Sequence, residues 1–264
     1  MPTVTTQDTF IDAADGRLYA RQWMPDTPGK QAPVVLFHDS LGCVELWRDF
    51  PRQLALATGR VVVAYDRLGF GRSDPHPGTL GPDFVEQEAR QGFQPVREAL
   101  GLERYVAFGH SVGGGMALVC AAIYGESCDA LITESAQMYA EEHTLAGIRQ
   151  AREDFAQPGQ LDRLKKYHGE KAAWVLSAWI DTWLSPDFAS WNLDDYLRQA
   201  RCPILALHGD QDEYGSLDHP RRIAELAGGR PLILRACGHV PHREQPEQVV
   251  GEIAAWLQRP ESAA

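Results

Sequence analysis

Short runs of apolar residues alternate with amphipathic stretches along most of this chain, and polar clusters follow several of the runs. The clearest runs are residues 33–37, 60–66, 104–108, 129–133, 203–207 and 231–234. Apolar runs of this length are typical of strands buried on both faces, whereas the stretches between them have the spacing of helices. Such an alternation predicts an α/β fold in which helices cover both faces of a mostly parallel sheet.

Two segments depart from this alternation. Residues 9–23 form two alternating runs joined around an Asp-Gly pair, which predicts a β-hairpin. Residues 135–199 look helical throughout, are rich in charge and hold four of the seven tryptophans. We therefore expect a core of residues 1–134 and 200–264, with residues 135–199 inserted as a helical cap over the carboxyl ends of the strands, where ligands bind in parallel sheets.

Composition narrows the classes of partner. The formal net charge of −11 argues against a nucleic-acid backbone or an anionic membrane as partner. No apolar run approaches the roughly 20 residues of a membrane span, and the first residues show no signal-peptide pattern. The five cysteines are scattered without a C-x-x-C pair, which favours reduced thiols and a cytoplasmic location. A homodimer is compatible with the sequence.

Residues 109–113 read Gly-His-Ser-Val-Gly, between an apolar run and a glycine-rich helical start. A serine at the apex of a strand–turn–helix is the context of a nucleophile elbow. The glycines are needed because the strained turn leaves no room for Cβ atoms two residues on either side of the serine. The bare pattern arises by chance in roughly one chain of this length in ten. The interpretation therefore depends on a matching base and acid.

Two later strands end in suitable residues. Asp210 and Asp212 follow the run 203–207, and His239 follows the run 231–234. A serine hydroxyl becomes a good nucleophile when a histidine accepts its proton, and a carboxylate fixes the tautomer of that histidine. Three carboxylates compete for the last role: Asp212, Asp210, whose alternative is to cap a turn, and Glu134, which directly follows another strand.

These motifs resemble, in type and order, those of the α/β-hydrolase superfamily over nearly the whole chain. The matching residues are His38, the motif Asp66-Arg67-x-Gly69-x-Gly71-x-Ser73, the elbow at 109–113, Gly209-x-x-Asp212, and Gly238-His239 with the downstream Pro246-Glu247. The resemblance implies a mostly parallel eight-stranded sheet and a serine hydrolase. It implies Ser111 as nucleophile, His239 as base and Asp212 as acid. The implied oxyanion hole consists of the backbone N–H groups of Ser40 and Val112.

One residue departs from the pattern of this superfamily, because Asp39 stands where glycine is usual after the third strand. Aspartate tolerates left-handed backbone, so the loop can keep its path, while the carboxylate is expected to change the local field. Tryptophans at helical spacing are typical of a packing face, and in a cap they can also form part of a substrate site. The residues expected to contact substrate are His38, Asp39, His110, Glu134, Trp179 and Trp183.

Nine histidines raise the alternative of a metal site. No H-E-x-x-H or other ligand spacing is present, so we expect neither a metal nor a cofactor. The expected function is hydrolysis of a small carboxylic ester or lactone through an acyl-enzyme. The alternatives left open are a carbon–carbon bond hydrolase, a cofactor-independent oxygenase or perhydrolase on the same fold, and a non-enzymatic ligand receptor.

Overall fold

Eight strands form one sheet in the computed structural model, which describes residues 3–258. They are β1 (Val4–Ala13), β2 (Gly16–Pro25), β3 (Val34–Phe37), β4 (Val62–Tyr65), β5 (Tyr105–His110), β6 (Cys128–Glu134), β7 (Ile204–Gly209) and β8 (Arg230–Leu234). The order across the sheet is β1-β2-β4-β3-β5-β6-β7-β8. The pairs β1/β2 and β2/β4 are antiparallel and the other pairs are parallel, which confirms the predicted sheet. Residues 1–2 and 259–264 of the predicted core lie outside the described residues.

Helices follow most of the parallel strands. They are α1 (Phe50–Thr58), α2 (Phe84–Glu88), α3 (Gln94–Ala99), α4 (Val112–Ile123), α5 (Glu142–Phe155), α6 (Gln160–His168), α7 (Ala172–Trp183), α8 (Asp194–Gln199), α9 (Asp218–Ala227), α10 (Pro241–Glu244) and α11 (Pro246–Leu257). Within the stretch 3–258, no helix is long and apolar enough to cross a membrane.

Alternate residues of the central strands supply two separate cores, because successive side chains of a strand point to opposite faces of the sheet. In β3, Val35 and Phe37 belong to the core that includes residues of α2 and α4. Val34 and Leu36 belong to the core that includes residues of α1 and α11. The fully apolar runs in the sequence therefore reflect burial on both faces, and the predicted helical layers lie on both sides.

Two predicted helices are interrupted. Residues 45–58 divide into a 3₁₀ turn, Val44–Trp47, and α1, because Arg48 between them has a φ of +54°. Residues 84–100 divide into α2, a π-helical turn and α3. Pro95 accounts for the second interruption, because it has no N–H to continue the α-helical hydrogen bonding.

The segment between β6 and β7 contains the four helices α5 to α8. Helix α7 packs against both α5 and α6, and a single β-bridge joins Tyr139 to Asn192 near the two ends of the segment. This segment enters and leaves the sheet at adjacent parallel strands. Its helices supply part of the wall of the cavity described below.

Candidate active site

Ser111 occupies the turn between β5 and α4 and has strained backbone angles, with φ of +56° and ψ of −129°. The flanking glycines are required by close backbone approach. A Cβ atom on Gly109 would lie 2.1 Å from the carbonyl oxygen of Gly113, and one on Gly113 would lie 2.2 Å from the carbonyl oxygen of Phe37. Both distances are far below van der Waals contact. The local sequence thus folds into the turn that the glycine pattern predicts.

The structure brings Ser111, His239 and Asp212 into one line of contacts. The Nε2 atom of His239 lies 3.0 Å from Oγ of Ser111. On the other side of the ring, Nδ1 lies 2.8 and 3.0 Å from the two carboxylate oxygens of Asp212. Since the Asp212 carboxylate accepts the proton of Nδ1, Nε2 is left with a lone pair that faces the serine hydroxyl. This geometry suits proton transfer from the hydroxyl to the imidazole.

Asp212 is held as a carboxylate by its surroundings. Its Oδ1 also accepts the backbone N–H groups of Tyr214 and Gly215, at 2.8 and 3.0 Å. Burial raises the pKa of Asp212, but the hydrogen bond and charge of His239 outweigh burial and lower this pKa to about 2. Asp210, the nearer alternative in sequence, has an exposed side chain. Of these two aspartates, Asp212 is the one in contact with His239.

Glu134 and His38 do not contact the cavity, and the expectation that they bind substrate is corrected here. The carboxylate of Glu134 is fully buried and its Oε2 lies 2.6 Å from Nδ1 of His242 in α10. His38 is buried beneath its own loop, where Nε2 accepts the backbone N–H of Arg67 at 3.2 Å. Glu134 ends β6 and His38 follows β3, yet the side chains of both residues turn into the protein and do not line the cavity.

Of the two expected oxyanion donors, Val112 directly follows the nucleophile and Ser40 lines the same cavity. Val112 is the first residue of α4, where a backbone N–H has no partner within its own helix. The same position carries the positive end of the helix dipole. Ser40 lines the same cavity as Ser111. The next N–H along the loop, that of Leu41, already donates to Oδ1 of Asp39 at 2.8 Å.

Comparison with known proteins identifies the family of the chain. A family described as "alpha/beta hydrolase fold" matches residues 32–176, more than half of the 264 residues. The chain belongs to the α/β-hydrolase family.

Proteins similar to this α/β-hydrolase include a peptidase by sequence and an esterase and a lactonase by structure. A proline iminopeptidase of Lactobacillus delbrueckii subsp. bulgaricus is 24% identical, over 86% of this chain and 90% of the relative. A thermophilic esterase from Thermogutta terrifontis is 20% identical with a TM-score of 0.71, covering 96% of this chain and 98% of the other. The enol-lactonase from Burkholderia xenovorans LB400 is 18% identical with a TM-score of 0.72, covering 95% and 100%. The structural neighbours show the shared fold.

A cavity of about 200 Å³ opens onto Ser111 in this α/β-hydrolase. Of the residues expected to contact substrate, Asp39, His110, Trp179 and Trp183 do line the cavity. The lining residues not expected from the sequence are Leu41, Gln137, Thr144, Ile148, Tyr214 and Val240. The cavity is mainly apolar and aromatic, and helices α5 and α7 form part of its wall.

Among the unexpected lining residues, Gln137 is in side-chain contact with the nucleophile. Its side-chain amide oxygen lies 3.3 Å from Oγ of Ser111, and the residue is 2% exposed. Tyr214 packs on the other side, with its ring 5.0 Å from that of His239 and 5.9 Å from that of Trp179. The position of Tyr214 two residues after Asp212 is the one sequence signal that could have indicated it.

Three buried residues, of which His110 also lines the cavity, place metal-ligating atoms within 4.8 Å of one another: His110, Glu134 and His242. Three of the four histidine nitrogens already have partners, since Nδ1 of His110 lies 3.3 Å from Oδ2 of Asp39. Nε2 of His110 contacts the backbone carbonyl of His239 at 2.8 Å, and Nδ1 of His242 contacts Glu134. These contacts link the three residues into a buried hydrogen-bonded network.

Proposed function

We propose that this α/β-hydrolase hydrolyses small carboxylic esters or lactones through an acyl-enzyme formed on Ser111. His239 is the general base and Asp212 is the acid that orients it. The observation that carries the proposal is the continuous contact from Ser111 through His239 to Asp212, at 3.0 and 2.8 Å, at the edge of a cavity. A hydroxyl, an imidazole and a buried carboxylate in this arrangement are the groups that acyl transfer needs.

In the first half-reaction, Oγ of Ser111 attacks the substrate carbonyl while Nε2 of His239 takes the hydroxyl proton. Asp212 stabilises the imidazolium that forms. The N–H groups of Ser40 and Val112 stabilise the oxyanion, each by about 3 kcal/mol. The tetrahedral intermediate then collapses, and His239 protonates the leaving alkoxide. In the second half-reaction, His239 deprotonates a water molecule, which hydrolyses the acyl-enzyme and releases the acid.

The lining of the cavity supports a small apolar or aromatic group on the substrate. Ile148, Trp179 and Trp183 offer apolar surface, while Gln137 supplies a polar group beside the nucleophile. We propose that residues 135–199 act as a cap, because α5 and α7 supply several of these wall residues. A cap of this kind excludes water and selects the acyl group by shape.

Ester substrates fit this cavity better than the peptides implied by the name of the curated relative. An aminopeptidase needs an anionic group for the ammonium of its substrate. Among the described residues that line the cavity, Asp39 is the only carboxylate, and it lies 3.3 Å from His110. Since that carboxylate has a partner, a free ammonium gains little from it.

The test is a panel of aryl esters and lactones of increasing acyl length, together with a proline aryl amide. Wild type is compared with Ser111→Ala and with Ser190→Ala, which removes the hydroxyl of an exposed serine outside the cavity. We expect ester or lactone turnover in wild type and Ser190→Ala, and a loss by a factor on the order of 10⁶ in Ser111→Ala. Ester turnover by pure Ser111→Ala at the wild-type rate contradicts the proposed mechanism. A clear preference for the proline amide contradicts the proposed substrate class.

A further inference from the structure

The carboxylate of Asp39 connects three loops of the site. Its Oδ1 accepts the N–H of Leu41 at 2.8 Å within the loop after β3. Its Oδ2 lies 3.3 Å from Nδ1 of His110, the residue before the nucleophile. The other nitrogen of His110, Nε2, lies 2.8 Å from the backbone carbonyl oxygen of His239. The carboxylate of Asp39 and the imidazole of His110 therefore connect the loop after β3, the turn that holds Ser111 and the loop that holds His239.

His110 makes both contacts best when both of its nitrogens carry protons, because each nitrogen faces an acceptor. Burial lowers the pKa of His110, but the contact with Asp39 and the charge of Glu134 outweigh burial and raise it. Burial raises the pKa of Asp39, but His110 outweighs burial and holds this pKa far below its usual range. Each residue thus favours the charged form of the other. The Asp39–His110 contact is an ion pair, with Nδ1 off the line of an ideal hydrogen bond.

The surroundings make this ion pair sensitive to the loss of either partner. The side chain of His110 is 2% exposed and that of Asp39 is 23% exposed. The rings of His239 and His242 lie 5.1 and 5.0 Å from the ring of His110. A shift of the His110 ring therefore also displaces the ring of His239, the base. Removal of Asp39 leaves the charge of His110 in a place that water hardly reaches, whereas removal of His110 leaves Asp39 partly exposed without its partner.

We propose that Asp39 and His110 are positioning residues. Their ion pair fixes the positions of the Ser40 N–H and of the His239 backbone relative to Ser111. The inference rests on the proposed function, since it assumes roles for Ser40 and His239. Neither residue of the pair takes part in bond making, so both act through their neighbours. Glycine, the usual residue of the family at position 39, cannot form this contact. The pair is therefore a feature of this chain rather than of the common family pattern.

The test uses the second-order rate at which a small fluorophosphonate ester labels Ser111, because this rate depends on the base and the oxyanion donors and needs no known substrate. Asp39→Asn keeps an acceptor for Leu41 and removes the charge, while His110→Gln keeps a side-chain N–H donor. We expect each variant to react about tenfold more slowly or worse, because small misplacements of reacting groups are costly. With an ester substrate, kcat should fall by a similar factor while KM stays within about threefold.

A double variant separates joint action from two independent effects. If the two residues act as one pair, Asp39→Asn/His110→Gln reacts no more slowly than the slower single variant. The matched control is Glu141→Gln, because Glu141 lies 2.9 Å from buried His219 in a similar contact outside the cavity. We expect this control to label within about twofold of wild type, although its thermal unfolding midpoint falls.

Several results overturn the proposal. One is an Asp39→Asn protein that labels within about twofold of wild type, even with a lowered unfolding midpoint, because the pair is then only structural. Another is a double variant whose loss equals the product of the two single losses. If Asp39→Asn does not fold, Asp39→Gly carries the same comparison with the usual residue of the family. Labelling that persists in Ser111→Ala contradicts the proposed function instead, so the two failures are distinguishable.

Discussion

The contact between Asp212 and His239 makes a strong prediction about which carboxylate serves the base. Asp212→Asn keeps the size of the side chain and, through its amide oxygen, the acceptor for the N–H groups of Tyr214 and Gly215. It removes the charge and puts the amide NH₂ group in place of Oδ2, which lies 3.0 Å from Nδ1 of His239. A donor then faces the nitrogen that now donates to Asp212. The imidazole then favours the tautomer with its proton on Nε2, which faces Ser111 and cannot accept the hydroxyl proton. We expect kcat to fall by a factor on the order of 10⁴.

The contacts of Asp212 with His239, His208 and the N–H of Tyr214 also contribute to stability, and the size of this contribution follows from the pKa of Asp212. This pKa is about 2 in the folded protein against 3.8 for an unperturbed aspartate, and the side chain is fully buried. The difference corresponds to roughly 2 kcal/mol. Because the folded pKa is the lower one, the contribution is present above about pH 4 and is lost as the pH falls towards 2. Asp212→Asn should therefore have a flatter dependence of its unfolding free energy on pH in this acid range.

The assay compares Asp212→Asn with Glu134→Gln, which neutralises the carboxylate at the end of β6. Steady-state ester hydrolysis gives kcat, and chemical unfolding between pH 2 and 7 gives the free energy of unfolding. Glu134 contacts His242 rather than His239. We expect Glu134→Gln to lower stability, because it weakens a buried charged contact, and to change kcat by less than about tenfold.

One pattern of results would refute this reasoning. If folded Glu134→Gln loses as much activity as Asp212→Asn, then Glu134 orients the base in solution and the contacts described here are not those of the active protein. A near-normal kcat in Asp212→Asn would refute the role of Asp212 by itself. If the unfolding free energies of Asp212→Asn and of wild type had the same pH dependence in this acid range, the pKa of Asp212 would not be lowered in the folded protein.

Two further predictions concern the elbow and the cavity. Gly113→Ala should destabilise the protein by about 3 kcal/mol or more, because its Cβ would lie 2.2 Å from the carbonyl oxygen of Phe37. The control Gly251→Ala on α11 should be neutral or stabilising, because its Cβ would meet no neighbouring atom within 4 Å. Thermal unfolding of both variants checks this prediction, and equal unfolding midpoints would contradict it. Trp179→Ala should lower kcat/KM for short acyl esters by roughly tenfold and shift the preferred acyl length to longer chains, because it widens the cavity. A series of esters of increasing acyl length checks this prediction. An unchanged preferred length would mean that Trp179 is only a packing residue.

The sequence allowed the sheet and the line of three residues to be predicted for one physical reason. Parallel strands covered on both faces must be apolar at every position, so runs such as 33–37 are visible without any knowledge of tertiary contacts. The carboxyl ends of parallel strands meet at one edge of the sheet, so polar residues after β5, β7 and β8 had to lie near one another. Ser111 and His239 are 128 positions apart, yet the order of strands brings them to 3.0 Å.

The wall of the cavity could not be predicted in the same way. Ile148 and Gln137 face Ser111 because of how the segment after β6 packs back over the sheet, and helical periodicity says nothing about that packing. The errors at Glu134 and His38 have a related cause. A position after a strand fixes where the backbone lies, but the direction of the side chain depends on partners from elsewhere, here His242 and Arg67.

Asp39 shows where reasoning from the sequence could have gone one step further. A carboxylate in a loop that follows a fully buried strand needs a partner, because an unpaired charge in such a place is very unfavourable. Strand β5 is the neighbour of β3 in the sheet, so the residue that ends β5 lies beside that loop. That residue is His110, which can carry the matching charge. The identity of the partner of Asp39 thus follows from the order of the strands, without knowledge of the cavity.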